Sequence, residues 1–270
     1  MANGKLDGEL HQQRRVAESY GIDAERYDRT RPRYPDALVD RMVRSCPGVE
    51  LLNVGAGTGI EARQFQAAGC SVLGVEPDVR MAEFARTKGT EVEVARFEEW
   101  EPAERRFDGI ISGQAWHWVD PVVGAAKAAS VLRPGGRLAA FWNVAEPPAE
   151  VREAFREVYV EVVPDALATR AYSMPTPPPT SSSPLLTKTI EGIRQVDGFG
   201  EPEQWQFEWR YVYSKDEWLD QLPTQGDHGQ FPPEKLAKVL AGVGAAIDAM
   251  GGSFDMKYTA VAVTATLPTS

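Results

Sequence analysis

Cysteine is nearly absent from this chain of 270 residues, which contains only Cys46 and Cys70. Two cysteines are too few for a disulfide framework, and they do not follow the paired spacing of a zinc site. The sequence therefore predicts a protein of a reducing compartment, which we expect to be the cytoplasm, and it predicts no metal site.

Long apolar runs and basic runs are also missing. The N-terminal segment 1–19 is polar, and no stretch of the chain approaches the roughly 18 apolar residues that a membrane span requires. The formal net charge of −10 would repel a nucleic-acid backbone. We therefore expect neither a membrane span nor a nucleic-acid partner. A small molecule is the expected partner, and the oligomeric state cannot be read from the sequence.

Strand and helix signals alternate through the first half of the chain. Apolar segments such as "ELLNV" (50–54) and "SVLGV" (71–75) are separated by helix-forming stretches such as "GIEARQFQAAG" (59–69). This alternation predicts an α/β fold with a parallel, doubly wound sheet. Such a sheet binds its ligands at the carboxyl ends of the strands.

The pattern changes after the last strand of this series. Segment 149–163 is typical of an amphipathic helix, and it leads into the Pro- and Ser-rich segment 173–184, which predicts a mobile loop. Alternating strand patterns and one long helix follow. The predicted organisation is an N-terminal helical lid (1–46), a core (47–143), a cap with its mobile loop (144–200), and C-terminal strands with a helix that complete the sheet (201–270).

The strongest chemical signal is "LLNVGAGTG" (51–59), in which a strand enters a glycine turn that leads into a helix. Glycines allow a sharp turn and a close approach of the backbone to a ligand. Glu76 ends the second strand, where its carboxylate would accept both hydroxyls of a ribose. Ile60 replaces the last glycine of a dinucleotide motif, and the charge of Glu61 would repel a pyrophosphate. A nucleoside that carries a sulfonium and an amino-acid tail has no such penalty.

At these residues the chain resembles the class I S-adenosylmethionine-dependent methyltransferases, and specifically the type 11 methyltransferase domain. The resemblance covers about 47–143 and includes "NVGAGTG", "GVEPD", "VARFEEW", "FDGIISGQAWHW" and "VLRPGGRLAAFWN". It implies a Rossmann-like sheet of seven strands with S-adenosylmethionine as cofactor and S-adenosylhomocysteine as product. The cofactor-binding residues that it implies are Gly55, Ala56, Gly57, Thr58, Gly59, Glu76, Pro77, Met81, Phe97, Glu98, Ser112 and Gln114. Arg96 departs from the pattern, because many relatives have an acidic residue there.

An upstream segment, "SYGIDAERYDRTRPRYPDALV" (19–39), is similar to a helix that closes over the active site in one subfamily. The resemblance implies contacts with the cofactor carboxylate or with substrate, and its candidates are Tyr27, Arg31 and Tyr34. Arg31 would supply a fixed cation for a carboxylate. Relatives often have phenylalanine where this chain has Tyr20, so the extra hydroxyl is a candidate catalytic group.

Histidine is scarce, and His117 stands between two tryptophans in "SGQAWHWVDP" (112–121) after the fourth predicted strand. We expect it to act as a base near neutral pH, with Tyr20 as its relay. His228, beside Asp227, is the rival candidate, whereas His11 lies in the polar N-terminal segment. The alternative to a chemical role is that the His117 ring only packs among the tryptophans.

The narrower resemblance is to actinomycete indole C3-methyltransferases of pyrroloindoline alkaloid biosynthesis. It predicts methylation of an indole ring in secondary metabolism, with aromatic residues of the cap and tail around the ring: Tyr159, Tyr172, Trp205, Phe207, Trp209 and Trp218. One alternative is an O-methyltransferase for a small carboxylic acid or a phenol. Another is a protein that binds S-adenosylmethionine without turnover, which a filled substrate cavity would support.

Overall fold

A single seven-stranded sheet organises the computed structural model, which describes residues 20–174 and 183–269. The strands are β1 (Glu50–Val54), β2 (Ser71–Glu76), β3 (Glu91–Val94), β4 (Phe107–Gly113), β5 (Leu132–Glu146), β6 (Glu203–Ser214) and β7 (Ser253–Thr266). Their order across the sheet is β3-β2-β1-β4-β5-β7-β6. The first five strands pair in parallel, and β7 runs antiparallel to both β5 and β6. The predicted Rossmann-like, doubly wound fold is therefore confirmed.

Ten helices accompany the sheet in the described ranges. They are α1 (Ala24–Thr30), α2 (Asp36–Ser45), α3 (Ile60–Ala67), α4 (Val79–Thr87), α5 (Pro121–Val131), α6 (Ala149–Val162), α7 (Leu167–Ser173), α8 (Pro184–Arg194), α9 (Lys215–Gln221) and α10 (Pro233–Ala249). None of these described helices is both long enough and apolar enough to cross a membrane.

Apolar side chains on both faces of the central strands explain their continuous hydrophobic runs. Every residue of β4 is buried. In β1, Leu52 packs in the cluster that includes α5 and α8, while Leu51 packs in the cluster that includes α2 and α3. Strands covered by helices on both faces read as unbroken apolar segments rather than as alternating ones. The helices therefore leave the ends of the strands, rather than their faces, available for a ligand.

The cap is built on the far ends of the three longest strands. Helices α6 and α10 contribute Phe155, Tyr159 and Val243 to one apolar cluster, and the strands contribute Phe254 and Tyr258. The observed helix Ala149–Val162 matches the predicted segment 149–163, and the strand Glu203–Ser214 lies in the C-terminal unit for which strands were predicted.

One predicted unit is divided in the structure. We predicted a cap over 144–200, yet α8 lies within that range and packs on the sheet, where Leu186, Ile190 and Ile193 join the core cluster. Its apolar residues have helical spacing, but the Pro- and Ser-rich stretch before it hid the start of the helix. The predicted mobile loop falls mainly on residues 175–182, which lie outside the described residues.

Candidate active site

The turn after β1 requires glycine at each of its three glycine positions. Gly55, Gly57 and Gly59 have φ angles of 67°, 54° and 81°, in the left-handed region that other residues rarely adopt. A Cβ on Gly55 would lie 2.4 Å from the Cβ of Ala115, whereas a Cβ on Gly57 would meet nothing within 4 Å. The first glycine thus serves close packing, and the second opens space beside the turn.

The carboxyl group of Glu76 is held against this turn. One carboxylate oxygen accepts a hydrogen bond from the backbone N–H of Gly57 at 2.8 Å, and the other accepts from the N–H of Asp78 at 2.9 Å. Burial raises the pKa of Glu76 to about 7, because the charged form loses contact with water. The two backbone donors fix the direction of the carboxylate beside the space that Gly57 leaves open.

A main cavity of about 280 Å³ opens at the carboxyl ends of β1, β2 and β4. Twelve of the sequence-predicted site residues line it: Tyr20, Tyr27, Arg31, Gly55, Gly57, Glu76, Pro77, Met81, Phe97, Glu98, Gln114 and His117. Glu76, Glu98 and Arg31 are among its charged lining residues, and Met81 and Phe97 supply apolar walls. The sequence prediction thus identified most of this cavity.

A smaller cavity of about 50 Å³ adjoins the main one. It shares Tyr27, Arg31, the glycine turn and Gln114 with the main cavity, and it adds three further predicted residues, Ala56, Thr58 and Tyr34. Two predicted cofactor residues line neither cavity: Ser112 is fully buried in β4, and Gly59 is the N-cap residue directly before α3. Both residues belong to the segments that carry the lining residues, but they do not themselves face a cavity.

The departure at Arg96 places a cation in the wall of the main cavity. Its guanidinium lies 3.6 Å from the carboxylate of Glu98, which also accepts a hydrogen bond from the backbone N–H of Asp120 at 3.1 Å. Arg96 and Glu98 both line the main cavity. At the position where the resemblance implied an acidic residue, this chain therefore has an arginine that pairs with Glu98.

His117 lies in a short 3₁₀ turn, Trp116–Trp118, directly after β4. Trp116 is buried in the core, whereas His117 and Trp118 line the main cavity with ring centroids 4.7 Å apart. The indole N–H of Trp142 donates to Nδ1 of His117 at 3.2 Å, and burial lowers the pKa of His117 to about 4. The ring is therefore neutral near pH 7 and carries its proton on Nε2.

Tyr20 lines the same cavity as His117. Its ring meets the edge of the Tyr27 ring at 6.0 Å, and the guanidinium of Arg31 lies 5.8 Å from the Tyr20 ring and 4.7 Å from the Tyr27 ring. Burial raises the pKa of Tyr20 above its usual value, so its hydroxyl stays protonated near neutral pH. The structure brings the two predicted catalytic groups to one cavity, and the relay between them stays a prediction.

The rival base His228 is not at the site. It is 3% exposed and lines neither cavity. Its Nε2 shares a hydrogen bond with the Tyr159 hydroxyl at 2.5 Å, and its Nδ1 with the carbonyl oxygen of Gln225 at 2.6 Å. Both ring nitrogens thus form hydrogen bonds within the protein. His228 therefore has a packing role, and the predicted alternative, in which it is the base, is not supported by its position.

The predicted aromatic substrate pocket is also wrong in its residues. None of the six cap and tail aromatics lines the main cavity. Tyr159, Tyr172 and Trp218 pack in the cap cluster, and Trp205 and Phe207 pack on the sheet with the helices of the other face. Trp209 packs against both of these clusters, and its ring stacks on the ring of Tyr258 with centroids 4.5 Å apart. Aromatic composition alone could not separate core rings from cavity rings.

Contacts between the lid and the C-terminal half were missed by sequence reasoning. Arg29 of α1 forms a two-point ion pair with Asp220, and Arg31 donates to the backbone carbonyl of Thr224. The loop after Thr224 places Gly226 in the wall of the main cavity. These partners lie almost two hundred residues apart in the chain, and no local pattern marks them.

The comparisons with known proteins agree with this geometry. The family model for the methyltransferase domain matches residues 52–140. The chain is 29% identical over 212 residues to an uncharacterized methyltransferase of Mycobacterium tuberculosis, covering 66% of this chain and 85% of the relative. The protein is an S-adenosylmethionine-dependent methyltransferase with the fold of the class I enzymes. This methyltransferase is also 30% identical over 167 residues to a demethylmenaquinone methyltransferase of Tropheryma whipplei, covering 58% of this chain and 65% of the relative.

Solved structures share the fold of this methyltransferase. One from Anaeromyxobacter dehalogenans, named as a type II methyltransferase, has a TM-score of 0.61 at 23% identity and covers 89% of this chain and 99% of its own. A Haemonchus contortus phosphoethanolamine N-methyltransferase 2, solved with phosphomonomethylethanolamine and S-adenosylhomocysteine, has a TM-score of 0.51 at 18% identity. It covers 96% of this chain and 59% of its own. These likenesses show the fold alone.

The cavity of the methyltransferase fits its cofactor, S-adenosylmethionine. The space beside Gly57, which no side chain fills, is bounded by the fixed carboxylate of Glu76, a group suited to ribose hydroxyls. Met81 and Phe97 would hold the adenine ring between apolar walls. When bound, the cofactor supplies an activated methyl group on its sulfonium. The residues that line the cavity would orient the cofactor and exclude water.

Proposed function

We propose that this methyltransferase acts on a small aromatic acceptor that binds in the main cavity beside His117. The supporting observation is that three flat rings line the same cavity as the carboxyl group of Glu76. They are the rings of Tyr20, His117 and Trp118. Because the sulfonium is already activated, the protein's main contributions are proximity, orientation and exclusion of water. The open cavity also disfavours a protein that binds the cofactor without turnover.

Indole C3 is the first acceptor proposed within this class, as part of secondary metabolism. Attack from C3 leaves positive charge on the indole nitrogen, so its N–H proton must be removed. His117 would be the base and Tyr20 its relay. With Nδ1 bonded to Trp142 and the proton on Nε2, His117 must pass on that proton or release Trp142 before it accepts another.

An oxygen acceptor is the second candidate, and the hydrogen bond from Trp142 favours it. A neutral ring that carries its proton on Nε2 is a donor, which suits the oxygen of a phenol or of a small carboxylic acid. Arg31 and Arg96 also line the main cavity and would attract a substrate carboxylate. In this reaction His117 positions the acceptor rather than removing its proton.

The decisive experiment offers the purified protein labelled S-adenosylmethionine and a panel of indoles, phenols and short carboxylic acids. Product masses and the position of the label identify the acceptor atom. We expect methylation of an aromatic member of the panel. Transfer only to non-aromatic acids would overturn the aromatic proposal, and transfer to a phenol oxygen would select the second candidate over the first.

His117→Phe tests the role of the ring nitrogens, because it keeps a ring and deletes both of them. Loss of a base should lower turnover by about 100- to 10,000-fold, whereas loss of one hydrogen bond to an oxygen acceptor should cost about 3- to 10-fold. Cofactor affinity should not change in either case. Near-normal turnover would show that His117 only packs.

Two further variants separate the base from the donor. Tyr20→Phe removes the proposed relay hydroxyl, and if the two groups act as one unit, the double variant should be scarcely slower than the slower single variant. Trp142→Phe keeps His117 but frees Nδ1. It should raise turnover or leave it unchanged if His117 is a base, and lower it if the Nε2 proton must point to the acceptor.

A further inference from the structure

Strand β6 forms one edge of the sheet, and within the described ranges no further strand pairs with it. It is 12 residues long, contains neither proline nor glycine, and pairs with β7 in one unbroken register from Glu203 to Ser214. Two of its apolar side chains, Tyr211 and Val212, are 42% and 61% exposed. A long, regular edge presents a row of backbone donors and acceptors to which another strand can add. The β6 edge is therefore suited to receive a strand.

The opposite edge of the sheet is not suited to this role. Strand β3 has four residues, and its side chains alternate between glutamate and valine. Glu91 and Glu93 point to the same face, so an antiparallel copy of β3 would place carboxylates opposite carboxylates. Like charges directly opposite each other destabilise a strand pair. A second copy of this chain could thus add at β6 but not at β3.

The charged residues in the middle of β6 have opposite signs. Glu208 and Arg210 lie two positions apart, so they point to the same face of the strand, and their side chains are 69% and 65% exposed. Each has a partner on β7: Glu208 pairs with Lys257 at 2.9 Å, and Arg210 pairs with Asp255 at 2.6 Å. Because β7 flanks β6 on one side only, a charged group from a further strand can approach both residues from the other side.

We propose that the β6 edge joins two copies of this methyltransferase, with the two β6 strands antiparallel around a two-fold axis at Trp209. Glu208 then lies opposite Arg210 of the second copy, and the symmetry forms this pair twice. Each pair extends a row of alternating charge, which runs from Lys257 through Glu208 to Arg210 and Asp255 of the second copy. The two sheets become one continuous sheet across the interface.

The sequence of β6 selects this register over its neighbours. Moving the axis by one residue would place Glu208 opposite its own copy, or Arg210 opposite its own copy, and both arrangements repel. Moving it by half a residue would turn opposite side chains to different faces. The axis at Trp209 also overlaps residues 204–214, which is nearly the whole strand, and it places Tyr211 opposite Phe207.

Sedimentation of the full chain at several concentrations tests the proposal, and we expect a dimer that dissociates on dilution. Glu208→Arg and Arg210→Glu each place like charges opposite each other twice. Each variant should therefore raise the dissociation constant of the dimer by about 10- to 100-fold. An equimolar mixture of the two variants restores both opposite-charge pairs, so it should form a heterodimer with nearly the native affinity.

Glu91→Arg on β3 is the matched control, because it reverses an exposed charge on the opposite edge and should dimerise like the native chain. All variants should bind S-adenosylhomocysteine normally, since neither edge lines the main cavity. Three results would overturn the proposal: a native chain that is monomeric at every concentration, a dimer that neither reversal at β6 weakens, or a mixture that associates no better than its components. A monomer would leave the edge to a strand of another protein.

Engineered cysteines test the register directly. Residues directly opposite each other in antiparallel strands have Cα atoms about 4.5 to 5.5 Å apart, which a disulfide can bridge, whereas diagonal neighbours are about 7 to 8 Å apart. A mixture of Glu208→Cys and Arg210→Cys chains should therefore form a covalent dimer with oxidised glutathione, and neither variant should do so alone. The native chain, with Cys46 and Cys70, measures the background. Equal cross-linking by either variant alone would overturn the register.

Discussion

The core and the cap of this methyltransferase use buried polar groups in opposite ways. In the core, Glu61, Glu76 and His117 are mostly buried, yet each faces a cavity. In the cap, His228 and Tyr159 are equally buried, but they bond to each other and face no cavity. Burial alone therefore does not mark a functional group. The distinguishing feature is a buried polar group that opens on unfilled space.

A core substitution in the cap should produce the largest effect on stability and none on the site. Phe155 is fully buried, and its ring lies 5.7 to 6.0 Å from the rings of Tyr172, Trp218 and Phe254. Phe155→Ala should lower the free energy of unfolding by about 3 to 5 kcal/mol. Urea unfolding measures this loss. Calorimetry on the folded fraction should show unchanged cofactor affinity, and a weakened affinity would mean that the cap shapes the cofactor site.

Removal of the Glu76 carboxylate should instead weaken cofactor binding. Glu76→Ala leaves ribose hydroxyls without an acceptor, which should weaken binding of S-adenosylmethionine and S-adenosylhomocysteine by about 1 to 3 kcal/mol. Calorimetry with both ligands measures this change. Glu91→Ala, at an exposed position on the neighbouring strand β3, is the control and should bind normally. Normal binding by the Glu76 variant would contradict the position that we assign to the ribose.

The pH dependence of stability offers a finer comparison. Burial raises the pKa of Glu61 from its ordinary value of 4.5 to about 7, so the folded protein retains a proton that the unfolded chain loses. The stability gained from that proton is present below pH 4.5 and is lost as the pH rises through 7. At pH 8, Glu61→Gln should therefore be more stable than the native protein by about 1 to 3 kcal/mol.

Urea midpoints at several pH values check this sign. The gap between the two proteins should shrink toward pH 5, because both then carry a neutral group at this position. A glutamine variant that is less stable than the native protein at pH 8 would mean that the charged carboxylate itself holds the fold together. Higher stability with weaker cofactor binding would instead show that the group is retained for binding.

The smallest effect is expected at the surface of the lid. Asp220 pairs with Arg29 at 2.8 Å and with Arg26 at 3.2 Å, and these side chains are substantially exposed. Asp220→Asn should change the free energy of unfolding by less than about 1 kcal/mol, because exposed ion pairs are screened by water and salt. The difference in unfolding free energy should disappear at high salt, which a comparison with low salt would show. A larger, salt-independent loss would place the lid contact among the buried ones.

Sequence reasoning succeeded where local backbone chemistry decides the structure. The turn at Gly55, Gly57 and Gly59 needs positive φ angles, and Glu76 follows at the end of the next strand, so a short pattern predicts that the Glu76 carboxylate lies at this turn. The alternation of strands and helices fixes the sheet in the same way. Each of these features depends on neighbours in the chain.

The remaining features depend on contacts between distant parts of the chain. His228 meets Tyr159 across sixty-nine positions, and Arg31 meets Thr224 across one hundred and ninety-three. Rings such as Trp218 enter the cap core because helices from separate segments meet there. The periodicity of the sequence does not predict contacts between such distant segments. The positions of the cap and tail rings were therefore predicted less well than those of the glycine turn and Glu76.

The length of β5, β6 and β7 has a mechanical consequence. These strands continue beyond Gly113, the residue at which β4 ends, and their backbone ladder extends without interruption from the sheet into the cap. Because the cap is carried on this continuous three-stranded ribbon, we expect it to move with the sheet as one body. The lid, in contrast, contacts the C-terminal half through a few side chains such as Arg29 and Arg31. We therefore expect the lid, rather than the cap, to move when the cofactor exchanges and the product leaves.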